Sequence, residues 1–233
     1  MKDKSTIVFF DIGHTLVRGS QPSVRRLLAS DLRLSPKETK KAGRLLMVHP
    51  SENPAELAGA LKKILPDRSE VEIRKSVEKL WELQTADVEE FDGATHMLNS
   101  LKHEGIKLGL LSNTWHPFYK SFCRTCPEIL ELMDYKFLSY QVGLKKPNLQ
   151  FFHYALQKTG VPANCCWMVG DTYQLDMAPA LKVGMRTIWL LNHADRERSI
   201  IAEMLRGERK PPDWSAVNLY EISAFLLERE GSK

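Results

Sequence analysis

The stretch that decides the fold reads Ile7-Val8-Phe9-Phe10-Asp11-Ile12-Gly13-His14-Thr15-Leu16. Four consecutive apolar residues leave no polar face, which suits a strand covered on both sides, and the run stops at a carboxylate. The pattern recurs. Leu108-Gly109-Leu110-Leu111 stops at Ser112, Trp167-Met168-Val169-Gly170 stops at Asp171, and a fourth run, Thr187-Ile188-Trp189-Leu190-Leu191, follows Gly184. Continuous apolar runs separated by helical segments predict buried parallel strands of an α/β sheet. Ligands of such sheets sit at the carboxyl ends of the strands, where these polar residues fall.

The intervening segments carry helical patterns. From Gly93 to His103, Ala94, Met97, Leu98 and Leu101 share one face and Gly105 ends the helix; from Asn148 to Lys158, Phe151, Phe152, Ala155 and Leu156 face inward and Gly160 is the stop. The segment from Gly19 to Phe91 differs. It shows helical stretches from Val24 to Leu32, Pro36 to Met47, Pro54 to Ile64 and Glu70 to Leu83, broken at Ser35-Pro36, His49-Pro50, Asn53-Pro54 and Leu65-Pro66, with no buried strand among them. The expected architecture is therefore a Rossmann-like parallel-sheet α/β core, residues 1–18 and 92–233, with an inserted α-helical domain, residues 19–91. The charged, proline-bearing stretch from Arg206 to Pro212 reads as a surface loop before a last strand and helix, Trp214 to Arg229.

A chain of 233 residues with 43% hydrophobic content has material for one full core and a smaller appendage. Its formal net charge of +4 is spread over 33 basic and 29 acidic residues without a long single-sign run, so electrostatics gives no reason to expect a nucleic acid or membrane partner. Met1 to Thr6 is polar and lacks the apolar centre of a secretory signal. No stretch approaches the roughly 20 apolar residues of a membrane helix. A soluble, cytoplasmic protein is the expectation. Cys123 and Cys126, with Cys165 and Cys166, have the count for a four-thiolate zinc site. Core packing is the preferred reading, because one pair precedes Trp167-Met168-Val169 and the other has helical spacing beside Phe122.

These residues also carry a family resemblance. Phe9 to Leu16 resembles the first motif of the haloacid dehalogenase superfamily, a strand followed by Asp-x-Asp-x-Thr-Leu. Leu110-Leu111-Ser112-Asn113 resembles the second, Lys146-Pro147 the third, and Gly170-Asp171-Thr172 with Asp176 the fourth. Order and spacing match over nearly the whole chain, and the helical insertion falls where this superfamily places one type of cap. The resemblance implies an Mg2+-dependent hydrolase acting on a small phosphorylated molecule. Asp11 would be an aspartyl nucleophile and metal ligand, joined at the metal by Asp171 and the main-chain carbonyl of Gly13. Asp176 would be a further ligand or hold a metal-bound water. Ser112 and Asn113 would donate to the transferring group, and Lys146 would balance charge. The chemistry agrees with the residue types: an anionic nucleophile approaching a phosphoryl group needs a cation to offset repulsion, and Mg2+ favours hard oxygen ligands.

One position departs from the family pattern. Where its phosphatases carry a second Asp as general acid and base, this chain has Gly13, and such help is typically worth about 10²- to 10⁴-fold. A leaving group that needs no proton would fit, as in an acyl phosphate or activated ester. So would a donor elsewhere: His14, or a cap lysine among Lys37, Lys40, Lys41, Lys62 and Lys63, as in the phosphonate-hydrolysing branch. Two further readings are carbon–halogen hydrolysis, which Gly170-Asp171 and Asp176 disfavour, and a non-catalytic metal- or ligand-binding protein, which the retained acids disfavour. Caps of this kind close over the site, which predicts hinges near Arg18-Gly19 and Phe91-Asp92-Gly93. Arg25, Arg26, Arg44 and His49 are cap groups that could meet an anionic substrate, and Trp115-His116-Pro117 is a packed loop or part of the entrance. Oligomeric state has no signature in the sequence.

Overall fold

The fold is taken from a computed structural model, which describes residues 6–18, 23–86 and 88–230. The strands are β1 (Ile7–Phe10), β2 (Val17–Arg18), β3 (Glu89–Glu90), β4 (Lys107–Ser112), β5 (Tyr135–Leu138), β6 (Cys166–Gly170), β7 (Arg186–Leu190) and β8 (Trp214–Ala216). Six of them form one sheet in the order β5-β4-β1-β6-β7-β8, every neighbouring pair parallel. The chain leaves β1 toward β4 and β5 and then returns to β6 on the other side. The strand order thus reverses beside β1, and a crevice opens at the carboxyl ends there.

The two sheet faces explain the unbroken apolar runs. Val8 and Phe10 point into one layer with Met97, Leu98 and Leu101 of helix Ala94–His103 and with Ile222 and Leu226 of helix Leu219–Glu230. Ile7 and Phe9 point into the other, with Phe151, Phe152 and Ala155 of helix Leu149–Thr159. All four β1 side chains are fully buried, each contributing on the order of 1.5–3 kcal/mol. Gly109 makes room for Phe9, whose ring would lie 2.7 Å from an added Cβ.

Four helices precede the second sheet strand: α1 (Val24–Asp31), α2 (Pro36–Val48), α3 (Pro54–Ile64) and α4 (Glu70–Gln84). Their starts follow from local chemistry. Ser35 and Glu38 form a reciprocal capping box at α2, Asn53 caps α3 through Glu56 N, and Pro36 and Pro54 occupy first-turn positions that need no N–H. The helices bury an apolar cluster of their own, including Leu28, Leu46, Leu61, Ile73, Val77 and Leu80. Trp115, from the loop after β4, joins that cluster and donates its indole N–H to Gln84 Oε1 at 3.3 Å.

Several features were not expected from sequence. The chain enters and leaves the helical unit through a small antiparallel pair, β2 with β3, and Phe91 N donates to Leu16 O at 2.9 Å. Arg18 pairs with Glu89 at 2.9 Å on this ribbon, while Gly19 of the expected hinge lies outside the described residues. The edge strand β5 escaped notice because Tyr135-Lys136-Phe137-Leu138 is short and only half apolar. The four cysteines are free. Cys126 and Cys166 are buried in the layers on opposite faces of the sheet, an arrangement that separates the two pairs. Among the described residues, no helix is long and apolar enough to cross a membrane.

Candidate active site

Three adjacent strands deliver the polar residues to one place. Asp11 follows β1, Ser112 ends β4 and Asp171 follows β6. Asp11 N still donates to Val169 O at 3.0 Å, which fixes the Asp11 backbone at the sheet's edge. Beyond it the chain turns tightly: Leu16 N and Val17 N both donate to Ile12 O, and His14 takes a left-handed conformation with φ of 60° while its N–H donates to Val17 O at 2.7 Å. Asn192, after β7, donates its amide to His14 O at 2.5 Å and ties this turn to the neighbouring loop.

Lys146 arrives from the other side of β1, on the loop before helix Leu149–Thr159. Asn113 clamps its backbone at two points: Lys146 N donates to Asn113 Oδ1 at 2.7 Å, and Asn113 Nδ2 donates to Lys146 O at 2.9 Å. The ammonium then lies 3.0 Å from Asp11 Oδ1 and 2.5 Å from Asp176 Oδ1. Lys146 and Asp176 are wholly buried; Asp11 keeps 14% of its side chain exposed, which leaves it open to an incoming group. Asp176 sits in a wide π-type turn, Tyr173–Met177, and its Oδ2 accepts from Thr172 N at 3.1 Å. Gly170 permits this fold-back, since a Cβ there would lie 2.4 Å from Asp176 Cγ. Asp171 is fixed through its carbonyl, which accepts from Trp189 Nε1 at 2.8 Å.

The electrostatics is dominated by crowding of like charge. Asp11, Asp171 and Asp176 each bring a carboxylate oxygen to within 4.8 Å of one another. Burial, then Asp176 and Asp11, push the Asp171 carboxyl up to about 8. Burial also raises Asp176, against the opposing pull of Lys146. Burial by itself would lower the Lys146 ammonium, but Asp11 and Asp176 outweigh it and hold the group above its ordinary value. One cation among three carboxylates leaves an excess of negative charge. The donors are hard oxygens, and a divalent cation would relieve the crowding that raises Asp171, so the residues fit Mg2+.

The acids open onto a cavity of about 310 Å³ lined on the sheet side by Asp11, Gly13, His14, Asn113 and Asp171. Gln84 and Met47 line it from the helical unit, and Trp115 from the loop after β4. Ser112 and Lys146 are buried behind its wall. Gly13 has no steric reason to be glycine: its φ is not positive, and an added Cβ would meet only Phe118 Cζ at 4.0 Å. The His14 ring meets that of His193 edge-on at 5.2 Å, and burial, His193 and Arg196 all lower its pKa, favouring the neutral imidazole.

The alternative donors fare differently. Lys37, Lys40, Lys41, Lys62 and Lys63 do not line this cavity. Lys62 is instead bonded to the carbonyls of Pro66 and Arg68. Arg25, Arg26, Arg44 and His49 are likewise absent from its wall, with His49 Nδ1 2.5 Å from Ser51 Oγ. Of Trp115-His116-Pro117, Trp115 faces the cavity, whereas His116 stacks on Trp81 and Pro117 is buried. Sequence reasoning missed His193, Arg196 and Glu197, which line the cavity from the loop after β7. They follow the apolar run from Thr187 to Leu191 as Asp11 follows β1, so the strand-end signal extends to them.

Comparison with known proteins bears on the family. A sequence profile of haloacid dehalogenase-like hydrolases matches residues 6–184. The chain is 28% identical over 137 residues to pyrimidine 5'-nucleotidase YjjG of Escherichia coli (strain K12), a match covering 58% of this chain and 56% of the nucleotidase. It is 25% identical over 206 residues to glyceraldehyde 3-phosphate phosphatase of Methanothermobacter thermautotrophicus, covering 82% of this chain and 88% of that one. In fold it is similar to the crystal structure of 2-haloacid dehalogenase from Pseudomonas syringae pv. Tomato DC3000, with a TM-score of 0.62, 20% identity and coverage of 97% and 99%.

Two outcomes follow from the acid cluster. Asp171 binds its proton more tightly in the folded state, so without a divalent cation its contribution to stability falls as pH rises from about 4 toward 8. The gain in thermal midpoint on adding Mg2+ should therefore widen between pH 5 and pH 8, measured by paired melts with Mg2+ and with chelator. Lys146→Met should cost about 3–5 kcal/mol in urea unfolding at pH 8 with chelator, because it strands the buried Asp176 carboxylate, and less at pH 5, where Asp176 takes up a proton.

Proposed function

Since the chain belongs to the haloacid dehalogenase-like hydrolases, we propose that it hydrolyses a small phosphorylated metabolite with Mg2+, through Asp11 as nucleophile. The observation that carries this reading is the Asp11–Lys146–Asp176 bridge beside Asp171, opening onto a cavity sized for a small molecule. The relatives named for nucleotidase and phosphatase activity support it at the level of substrate class. Mg2+ would be held by Asp11, Asp171 and the Gly13 carbonyl, and when bound would offset the charge between nucleophile and phosphoryl group. Both Asp176 oxygens are already engaged, by Lys146 and Thr172, so Asp176 is read as orienting a water rather than as a direct ligand.

In this mechanism the Asp11 carboxylate attacks phosphorus in line, a P–O bond forms as the bond to the leaving group breaks, and water then releases phosphate from Asp11. Lys146 holds Asp11 in place through the 3.0 Å contact to Oδ1. Asn113 acts twice, through its clamp on Lys146 and through a main-chain N–H available to the phosphoryl oxygens. No lysine lines the cavity, and His14 is held toward its neutral form, so neither substitute read from the sequence stands in for an acid at Gly13. The favoured substrates are accordingly those whose leaving group departs without a proton, such as acyl phosphates. Residues 19–91 are read as a cap, with Ser23, Val24, Met47 and Gln84 the cap residues that face the substrate.

A panel of acyl phosphates, phosphomonoesters, phosphonates and haloacids, assayed with and without Mg2+, tests this. Mg2+-dependent turnover should be greatest on acyl phosphates and lost in Asp11→Asn; turnover surviving that substitution would remove the proposed nucleophile. Because the space beside Gly13 is open, Gly13→Asp should fold and should raise kcat on alkyl phosphomonoesters by about 10²- to 10⁴-fold. A rate unchanged by Gly13→Asp would mean that another group already supplies the proton.

A further inference from the structure

A second cavity, of about 720 Å³, lies between the helical unit and the core. Its wall carries six cations, Arg25 of α1, Lys37, Lys40, Lys41 and Arg44 of α2, and Lys145 of the loop before helix Leu149–Thr159, beside Lys146, which lines it too but is paired with Asp11 and Asp176; no aspartate or glutamate is among its lining residues. None of these six joins an ion pair among the described residues. Cations elsewhere do so routinely, as in Arg74 with Glu78 and Lys79 with Asp31. The acid of α2, Glu38, is bonded to Ser35 and paired with Arg68 at 3.4 Å. In a chain with a net charge of only +4, this is a local concentration of positive charge, eased at Lys41 by the nearby Glu38.

The packing beneath it is specific. Gly43 lies inside α2, where glycine costs roughly 1 kcal/mol relative to alanine. A Cβ at Gly43 would lie 2.4 Å from Arg25 Cδ and 2.6 Å from Cγ, so the arginine stem occupies the space that the glycine leaves. Lys145 is partly buried, and burial followed by Arg25 and Arg44 lowers its pKa. An anion between α2 and this loop would remove that repulsion and join the helical unit to the core.

We propose that this cavity is a second anion site, separate from the Asp11 cavity, for a small molecule carrying two or more phosphate groups. The concave shape and volume lie in the range of small-molecule sites, about 300–1,000 Å³. Six cations spread over two helices and a loop call for several anionic groups at once, more than a single phosphate offers. The proposal does not depend on hydrolysis.

The test is calorimetric titration with inorganic triphosphate in the presence of chelator, where the carboxylates of the main site repel anions. Triphosphate should bind saturably, at least about tenfold more tightly than orthophosphate, and more weakly as salt is added. The double variant Arg44→Gln/Lys145→Gln should weaken binding by about tenfold or more, while Asp171→Asn leaves it within about twofold. Gly43→Ala, which favours the helix but displaces Arg25, should weaken it as well; this carries the test if the double variant fails to fold. Equal binding of triphosphate and orthophosphate, or binding insensitive to Arg44, Lys145 and Gly43, would overturn the proposal. So would a single-stranded oligonucleotide that competes more strongly than triphosphate, since the surface would then be a nucleic acid face.

Discussion

Lys146 is an ammonium sealed from water and held between Asp11 and Asp176. Removing it from solvent is costly, and its two short contacts offset that cost only while both side chains stay in place. Much of the surrounding geometry serves this condition. Asn113 grips the lysine's backbone, Gly170 lets Asp176 fold back against the strand, Thr172 N satisfies the second Asp176 oxygen, and Val169 holds the Asp11 backbone at the sheet edge. Four segments far apart in sequence are thereby locked to one another through a single charge.

The sheet makes that convergence possible. With every neighbouring pair parallel and both faces covered, side chains within the strands are confined to apolar layers, and polar groups are expelled to the carboxyl ends. The reversal of strand order beside β1 leaves a gap there that neither crossover helix fills. Asp11, Asp171 and Asn113 reach it from three adjacent strands.

The helical unit adds a wall and a charge problem. Trp115 belongs by sequence to the loop after β4 but packs into the helical cluster and bonds Gln84, so the first cavity is closed by a contact between the two parts of the molecule. The second cavity lies along the same seam and is walled by cations drawn from both parts. The two cavities carry opposite charge, and Lys145 and Lys146, neighbours in the chain on the wall of the second, have ammonium groups in different environments: Lys146 offset by carboxylates, Lys145 left among arginines.

The parallel α/β core, helices α1 to α4 between β2 and β3, and the polar residues at the ends of β1, β4 and β6 were legible in the sequence. These depend on local patterns: apolar runs, capping residues, and proline and glycine stops, each of which acts within a few residues. The sequence also marked Gly13 as a departure. Packing between remote segments settles that the Asn113 amide is spent on Lys146, that Lys37, Lys40 and Lys41 line a different cavity from Asp11, and that His193 and Arg196 lie against His14. It also decided that Gly43 exists to accommodate Arg25. The edge strand β5 and the β2–β3 ribbon were missed for a related reason: short, half-exposed strands carry little apolar signal and are specified by the partner they pair with. Distances between segments remote in the chain are fixed by packing of the layers, and the charge state of Asp171 by what that packing crowds around it. Neither quantity is a property of any local stretch of residues.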